Sequence, residues 1–133
     1  ALNKKSGLLG VSGVSNDMRD VRRAAAEGNE RAKLATELLT HYAKKIIGSY
    51  IAEMNGIDVL IFTAGLGEND AQARQDIGDN MEFFGIKMDK DVNMNAPRGE
   101  NVVISAPDSK VKVVVIPTDE EFMIASDTYN LVK

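Results

Sequence analysis

Between Ala35 and Met54, apolar residues recur at spacings of three and four, through Leu38, Leu39, Tyr42, Ala43, Ile46, Ile47, Tyr50 and Ile51. That period predicts a long amphipathic helix over 29–54, ended by Asn55-Gly56, with a stripe broad enough to pack across a sheet. The period then changes. Ile57-Asp58-Val59-Leu60-Ile61-Phe62-Thr63 is a nearly continuous, β-branched run, the pattern of a strand covered on both faces. It breaks into Gly65-Leu66-Gly67, read as a glycine turn, after which Asn69 is placed to cap a helix over about 70–80 with Ala71, Ala73 and Ile77 inside. A second apolar strand, Val111 to Ile116, runs into Pro117-Thr118-Asp119-Glu120-Glu121. These residues read as a helix opening, with Thr118 as cap and Glu121 at the capping-box position. Phe122, Ile124, Ala125, Tyr129 and Val132 then mark the buried side of a last helix.

Other segments are weaker. Residues 6–15 mix three glycines and serines with aliphatics and read as a looping segment; Asn16 or Ser15 then caps a short helix through Met18, Val21 and Ala25 that Gly28 stops. Met81, Phe83, Phe84, Ile86 and Met88 form an apolar patch, followed by a polar surface loop or hairpin from Asp89 to Glu100. Asn101 to Ser105 is a weak strand candidate. The Asp89-Asp91 and Asn93-Asn95 spacing lacks the turn glycine and terminal glutamate of a calcium loop. Strand, turn and acidic helix start thus occur twice. Two strands joined by a long crossover predict an α/β sheet whose two loops emerge at the same, carboxyl, edge. The strand count is low for such a sheet, so the chain reads either as mostly helical or as the back half of a larger domain.

Composition narrows the chemistry. The 133 residues carry 16 basic and 20 acidic side chains, a net charge of −4 without a basic block, which argues against electrostatic capture of nucleic acid or an anionic membrane. There is no cysteine, hence no disulfide or thiolate metal site, and no apolar run of spanning length or signal-peptide pattern. A soluble, cytoplasmic protein is expected. The chain opens on Ala1 without a Met; removal of an initiator and a start within a longer polypeptide fit equally. His41, the single histidine, falls on the polar side of the long helix and reads as a solvated surface residue.

Four blocks carry a resemblance. Asn3-Lys4-Lys5-Ser6-Gly7-Leu8-Leu9-Gly10, Ser15-Asn16-Asp17-Met18-Arg19-Asp20, Phe62-Thr63-Ala64-Gly65-Leu66-Gly67-Glu68-Asn69 and Val115-Ile116-Pro117-Thr118-Asp119-Glu120-Glu121 resemble, in order and spacing, successive blocks of the acetate kinase family. The similarity covers nearly the whole chain and matches that family's carboxyl-terminal third. It implies an α/β fold, the carboxyl-terminal portion of a ribonuclease H-like domain of the actin-like ATPase superfamily, with the remaining strands preceding Ala1. Residues 1–133 would then be the carboxyl-terminal part of a nucleotide-binding domain. The implied activity is reversible phosphoryl transfer between ATP and acetate with Mg²⁺, giving ADP and acetyl phosphate, in an enzyme that is a homodimer through this region.

The resemblance also assigns roles. Gly65, Leu66, Gly67, Glu68 and Asn69 would lie against ATP, the glycines permitting close backbone approach and Leu66 packing on adenine. Taken alone, such a stretch is more often a connector whose glycines supply positive φ than a site; within the four-block match the site reading prevails. Asp17, Met18 and Arg19 match a second nucleotide-contacting block, Met18 flanking the base, Asp17 accepting from an amine or hydroxyl, Arg19 reaching ribose or phosphate. An ordinary helix start with a surface ion pair explains Asp17 and Arg19 as well. Asn16 stands where the family commonly has serine. Glu120 matches the family's magnesium-associated glutamate, whereas Glu121 reads as a cap. In the family the acetate pocket and the catalytic groups lie upstream of the matched region, so no catalytic residue is expected here. The other two readings are a free-standing nucleotide-binding module and a dimerisation element.

Overall fold

The computed structural model describes residues 5–133, so Asn3 and Lys4 of the first resembling block lie outside the described residues. The chain divides into two compact units, one ending at Glu53 and the other spanning Met54–Lys133.

The first unit is helical: α1 (Gly7–Ser12), α2 (Met18–Ala26) and α3 (Glu30–Glu53). Its core is small. Val21, Ala32 and Ala35 are buried, with Leu8, Val11, Ala24 and Ala25 packed around them, so the alanines of α3 let α1 and α2 approach closely. The glycine- and serine-rich stretch expected to loop is instead the short helix α1. Tertiary contacts override its weak helix propensity: Leu8 and Val11, three apart, turn to one side, and Arg31 of α3 donates to the carbonyls of Val11 (2.8 Å) and Gly10 (3.3 Å). The long helix matches its predicted limits. Asn29 Oδ1 accepts from Ala32 N at its start, and Asn55 (φ 58°) followed by Gly56 (φ 119°) turns the chain out of it. Its stripe is buried mainly over Ala32–Thr40, whereas Tyr42, Ile46 and Tyr50 are at least half exposed.

The second unit holds a three-stranded sheet. Strands β1 (Val59–Phe62), β2 (Val102–Val103) and β3 (Lys112–Val115) lie in the order β1-β3-β2, β1 parallel and β2 antiparallel to β3. Parallel pairing of β1 with β3 is what the repeated strand-turn-helix pattern predicts, and β2 falls within the weak candidate. Val113 and Val115 are buried while Lys112 points out, and Phe62, Ala73, Ile77, Met81, Ile86, Ile104 and Val111 complete the core. Around the sheet run α4 (Ala64–Asn69), α5 (Ala71–Gly78), a 3-10 turn at Glu82–Phe84, α6 (Lys90–Met94) and α7 (Glu120–Val132).

Four expectations change here. Strand β1 is not covered on both faces, because Val59 and Ile61 are exposed and only Phe62 is fully inside. Gly65-Leu66-Gly67 is part of a helix rather than a turn. The polar segment after Asp89 contains α6, capped by Asp89 Oδ1 accepting from Val92 N (3.0 Å), and it carries the fully buried Asn93. Finally, α7 buries none of its residues: Phe122, Ile124, Ala125, Tyr129 and Val132 are all exposed. Periodicity marks which side of a helix is apolar, not whether anything within the described residues covers it.

Candidate functional site

At the end of β1 the chain must turn sharply into α4. The left-handed residue that makes this turn is Ala64 (φ 58°), and neither Gly65 nor Gly67 has positive φ. The two glycines therefore do different jobs. A Cβ on Gly67 would sit 3.0 Å from the carbonyl carbon and 3.3 Å from the Cα of Phe62, so the missing side chain lets α4 lie against the end of β1. A Cβ on Gly65 would meet nothing within 4 Å, leaving a bare stretch of exposed backbone. Leu66 is half-buried. Asn69 does not cap the next helix: its Nδ2 donates back to Gly65 O (3.0 Å), and Asp70 caps α5 by accepting from Ala73 N (2.8 Å).

Parallel pairing brings the loops after β1 and β3 to one edge, where Ile116 N donates to Phe62 O (2.9 Å). Across that edge Glu68 Oε1 accepts from Thr118 N (2.9 Å) and from Thr118 Oγ1 (3.1 Å). These donors, the Thr118 amide foremost, hold the Glu68 carboxyl below its ordinary value of 4.5. Thr118 is thereby spent on Glu68 and does not cap α7. Asp119 takes that place, its Oδ1 accepting from Phe122 N (3.1 Å), so the capping role expected of Thr118 and Glu121 falls to their neighbour. Glu120 is the first residue of α7, exposed, and with Thr118, Asp119, Met123 and Ile124 lines an open surface depression.

Behind α4 stands a group that sequence patterns do not reveal. Arg74, on α5, is 3 % exposed. Its Nη1 donates to the carbonyls of Gly67 (2.9 Å) and Glu68 (3.0 Å), its Nε to Asn93 Oδ1 (2.8 Å) and its Nη2 to Asn93 O (3.0 Å). Asn93 is fully engaged in turn, Nδ2 donating to Ala71 O (2.9 Å) and Gln75 Oε1 (3.1 Å). Burial pushes the guanidinium pKa down, against the opposing pull of Asp70. An arginine four positions after an aspartate, and an asparagine in a polar run, read in sequence as solvated surface.

The block at 17–19 lies in the first unit. Asp17 itself caps α2, in place of the expected Asn16 or Ser15: its Oδ1 accepts from Arg19 N (2.9 Å). Ser15 Oγ accepts from Asp17 N (3.0 Å) and donates to Asp20 Oδ2 (3.1 Å). The Arg19 side chain folds back onto the same carboxylate, Nε to Oδ1 (3.0 Å) and Nη2 to Oδ2 (2.5 Å). That pair, led by the Arg19 side-chain hydrogen bonds, lowers the Asp17 pKa to about 2. Met18 is half-buried and Arg19 is solvated. His41 is exposed, as its place on the polar face predicts.

Among the described residues no group of three or more His, Asp or Glu is gathered as a metal cage, and no helix is long and apolar enough to cross a membrane. What the geometry defines is a mixed α/β protein whose candidate site lies where parallel strands end and two helices open. The chain belongs to the acetokinase family, whose model matches residues 1–126. It is 55% identical over 132 residues to the acetate kinase of Bacteroides thetaiotaomicron, covering 99% of this chain and 33% of that protein. Among solved structures, the acetate kinase of Porphyromonas gingivalis superposes with a TM-score of 0.89 at 53% identity, over 98% of this chain and 33% of that one. The acetate kinase of Entamoeba histolytica gives a TM-score of 0.89 at 37% identity, over 97% and 34%. The α/β fold implied by the four blocks is thus the fold of this chain, which spans about a third of the length of these relatives.

Proposed function

We propose that this chain supplies the nucleotide side of an acetate kinase, an enzyme that reversibly transfers a phosphoryl group from ATP to acetate, giving ADP and acetyl phosphate. The observation that carries the reading is the closed edge of the sheet: Glu68 from the β1 loop clasps Thr118 from the β3 loop, so the bare backbone at Gly65 and the carboxylate of Glu120 belong to one framework. In this reading the backbone of Gly65 to Gly67 approaches the nucleotide, with Leu66 against the base, while Glu68 and Asn69 shape the loop through their bonds to Thr118 and Gly65. Asp17, Met18 and Arg19 form a second nucleotide contact, the guanidinium already oriented by Asp17.

In this reading Glu120 would hold Mg²⁺. The ion binds through one or two carboxylates, water and substrate phosphates rather than an all-protein cage, so a single exposed carboxylate suits it. When bound, the ion would neutralise the charge of the phosphates during transfer. Asp119, occupied with the amide of Phe122, is less free to join.

Phosphoryl transfer depends on charge-neutralising groups on both sides of a cleft, and the acetate pocket and catalytic groups are assigned to parts of the enzyme outside the matched region. The chain by itself is therefore expected to bind MgADP and not to turn over. Calorimetric titration with MgADP, and a coupled acetate phosphorylation assay of the same preparation, test both halves. No heat of binding removes the nucleotide assignment, and turnover above background removes the claim of inactivity. A cytoplasmic, homodimeric whole enzyme completes the reading, and light scattering over a concentration series checks its dimerisation.

A further inference from the structure

Arg74 buries a guanidinium that donates to neutral acceptors, the carbonyls of Gly67, Glu68 and Asn93 and the side-chain oxygen of Asn93, with the Asp70 carboxylate as a nearby opposite charge. Such a group is costly to bury unless its geometry is tightly satisfied. Here the two Nη1 bonds fall on the last turn of α4, where carbonyls have no partner within the helix and the helix dipole is negative. A six-residue helix cannot hold itself in water, so its position depends on what grips it. Two grips are present, Arg74 on the main chain from the α5–α6 side and Glu68 on Thr118 from the β3 side. They share one residue, since the Glu68 whose carbonyl Arg74 holds is the residue whose carboxylate holds Thr118.

We infer that Arg74 is a positioning residue of the nucleotide site: through the carbonyls of Gly67 and Glu68 it fixes α4, and through Glu68 it fixes the start of the loop that carries Glu120. It touches no ligand itself. The inference rests on the nucleotide reading above for its functional half, while its mechanical half stands on the hydrogen bonds alone.

Arg74→Lys keeps the charge but loses the planar fork that spans two carbonyls and Asn93. The test is residue-resolved hydrogen exchange together with MgADP titration of this variant and the parent chain. Exchange at the amides of Glu68 to Asp70 is expected to rise about tenfold or more while β1 and β3 keep their protection, and MgADP affinity to fall on the order of tenfold. A buried arginine with a merely structural role would instead loosen sheet and α4 together. Unchanged exchange in α4 in a folded variant overturns the inference. Faster α4 exchange in a chain whose parent binds no MgADP upholds the grip and removes the nucleotide reading, which keeps the two failures apart. If Arg74→Lys also loses sheet protection, Asn93→Ser is read in its place, because it leaves both Nη1 bonds and the Nη2 bond to the main chain but removes the side-chain acceptor that orients the fork through Nε. Selective loosening of α4 then supports the role, and exchange equal to the parent overturns it.

Discussion

The blocks at 17–20 and 64–74 look alike in sequence, each a polar or glycine-marked helix start, yet they are held in opposite ways. At 17–20 the bonds among the described residues that fix the helix start are local: Asp17 meets Arg19, Ser15 meets Asp17 and Asp20, and Arg23 meets Asp20, on exposed or half-buried side chains. At 64–74 the fixing contacts come from far along the chain, Asn93 to Arg74 across 19 positions and Thr118 to Glu68 across 50. A local, solvated arrangement can form and dissolve without disturbing much else. A long-range one, buried at Arg74 and Asn93 and exposed where Glu68 meets Thr118, is tied to the sheet, and losing a buried member leaves the others without partners.

The contrast is most exposed to refutation at Asn93. Replacing it by leucine removes the acceptor for Arg74 Nε, and a destabilisation of about 3 kcal/mol is expected in urea unfolding, since a buried cationic donor is left unsatisfied. A cost as small as that of Asp17→Ala in the same assay would erase the distinction between the blocks. Next in size is Gly67→Ala, whose methyl would press on the Phe62 main chain and cost about 2 kcal/mol, as overpacking does. Gly65→Ala, with nothing within 4 Å, should instead be neutral or stabilising by up to about 1 kcal/mol from helix propensity, while weakening MgADP binding if bare backbone faces the nucleotide.

Smaller effects appear in titrations. Thr118→Val leaves the amide but removes the hydroxyl donor, so the Glu68 carboxyl, followed by NMR, should move part of the way up toward 4.5. Because its folded pKa is depressed, the stabilisation from this clasp is present above pH 4.5 and is lost as the pH falls through the folded value. Asp17 follows the same sign lower down: its contribution is present above pH 3.8, fades as the pH falls and is gone below about 2. Arg19→Ala should return the Asp17 midpoint toward 3.8, and high salt should have a similar but weaker effect on this exposed pair.

The legible parts of the fold were those with a strong period or a local stop. Helix α3, the parallel pair β1 and β3, and the Asn55-Gly56 exit follow from side-chain spacing alone. Helix ends follow from the sequence to within a residue or two, but the caps at Asp17, Asp70 and Asp119 lie one or two positions beyond the expected residues, because neighbouring polar residues are equally good caps and tertiary bonds choose among them. The glycine pair marks α4 but reads as a turn because glycine is the usual left-handed residue, whereas here that conformation falls to Ala64. Arg74 and Asn93 were invisible, since what makes them matter is burial among residues distant in sequence. The apolar pattern of α7 is legible in the sequence, but its burial is not, because amphipathicity states a capacity that none of its side chains uses within the described residues.

The order β1-β3-β2 has a kinetic meaning as well. Helices α1 to α3 join chain neighbours and can assemble almost as fast as helices form, whereas β1 can find β3 only after a loop of about fifty residues has closed. The first unit should therefore gain structure early in refolding, and the edge that unites the Gly65 and Glu120 segments should be among the last features to appear.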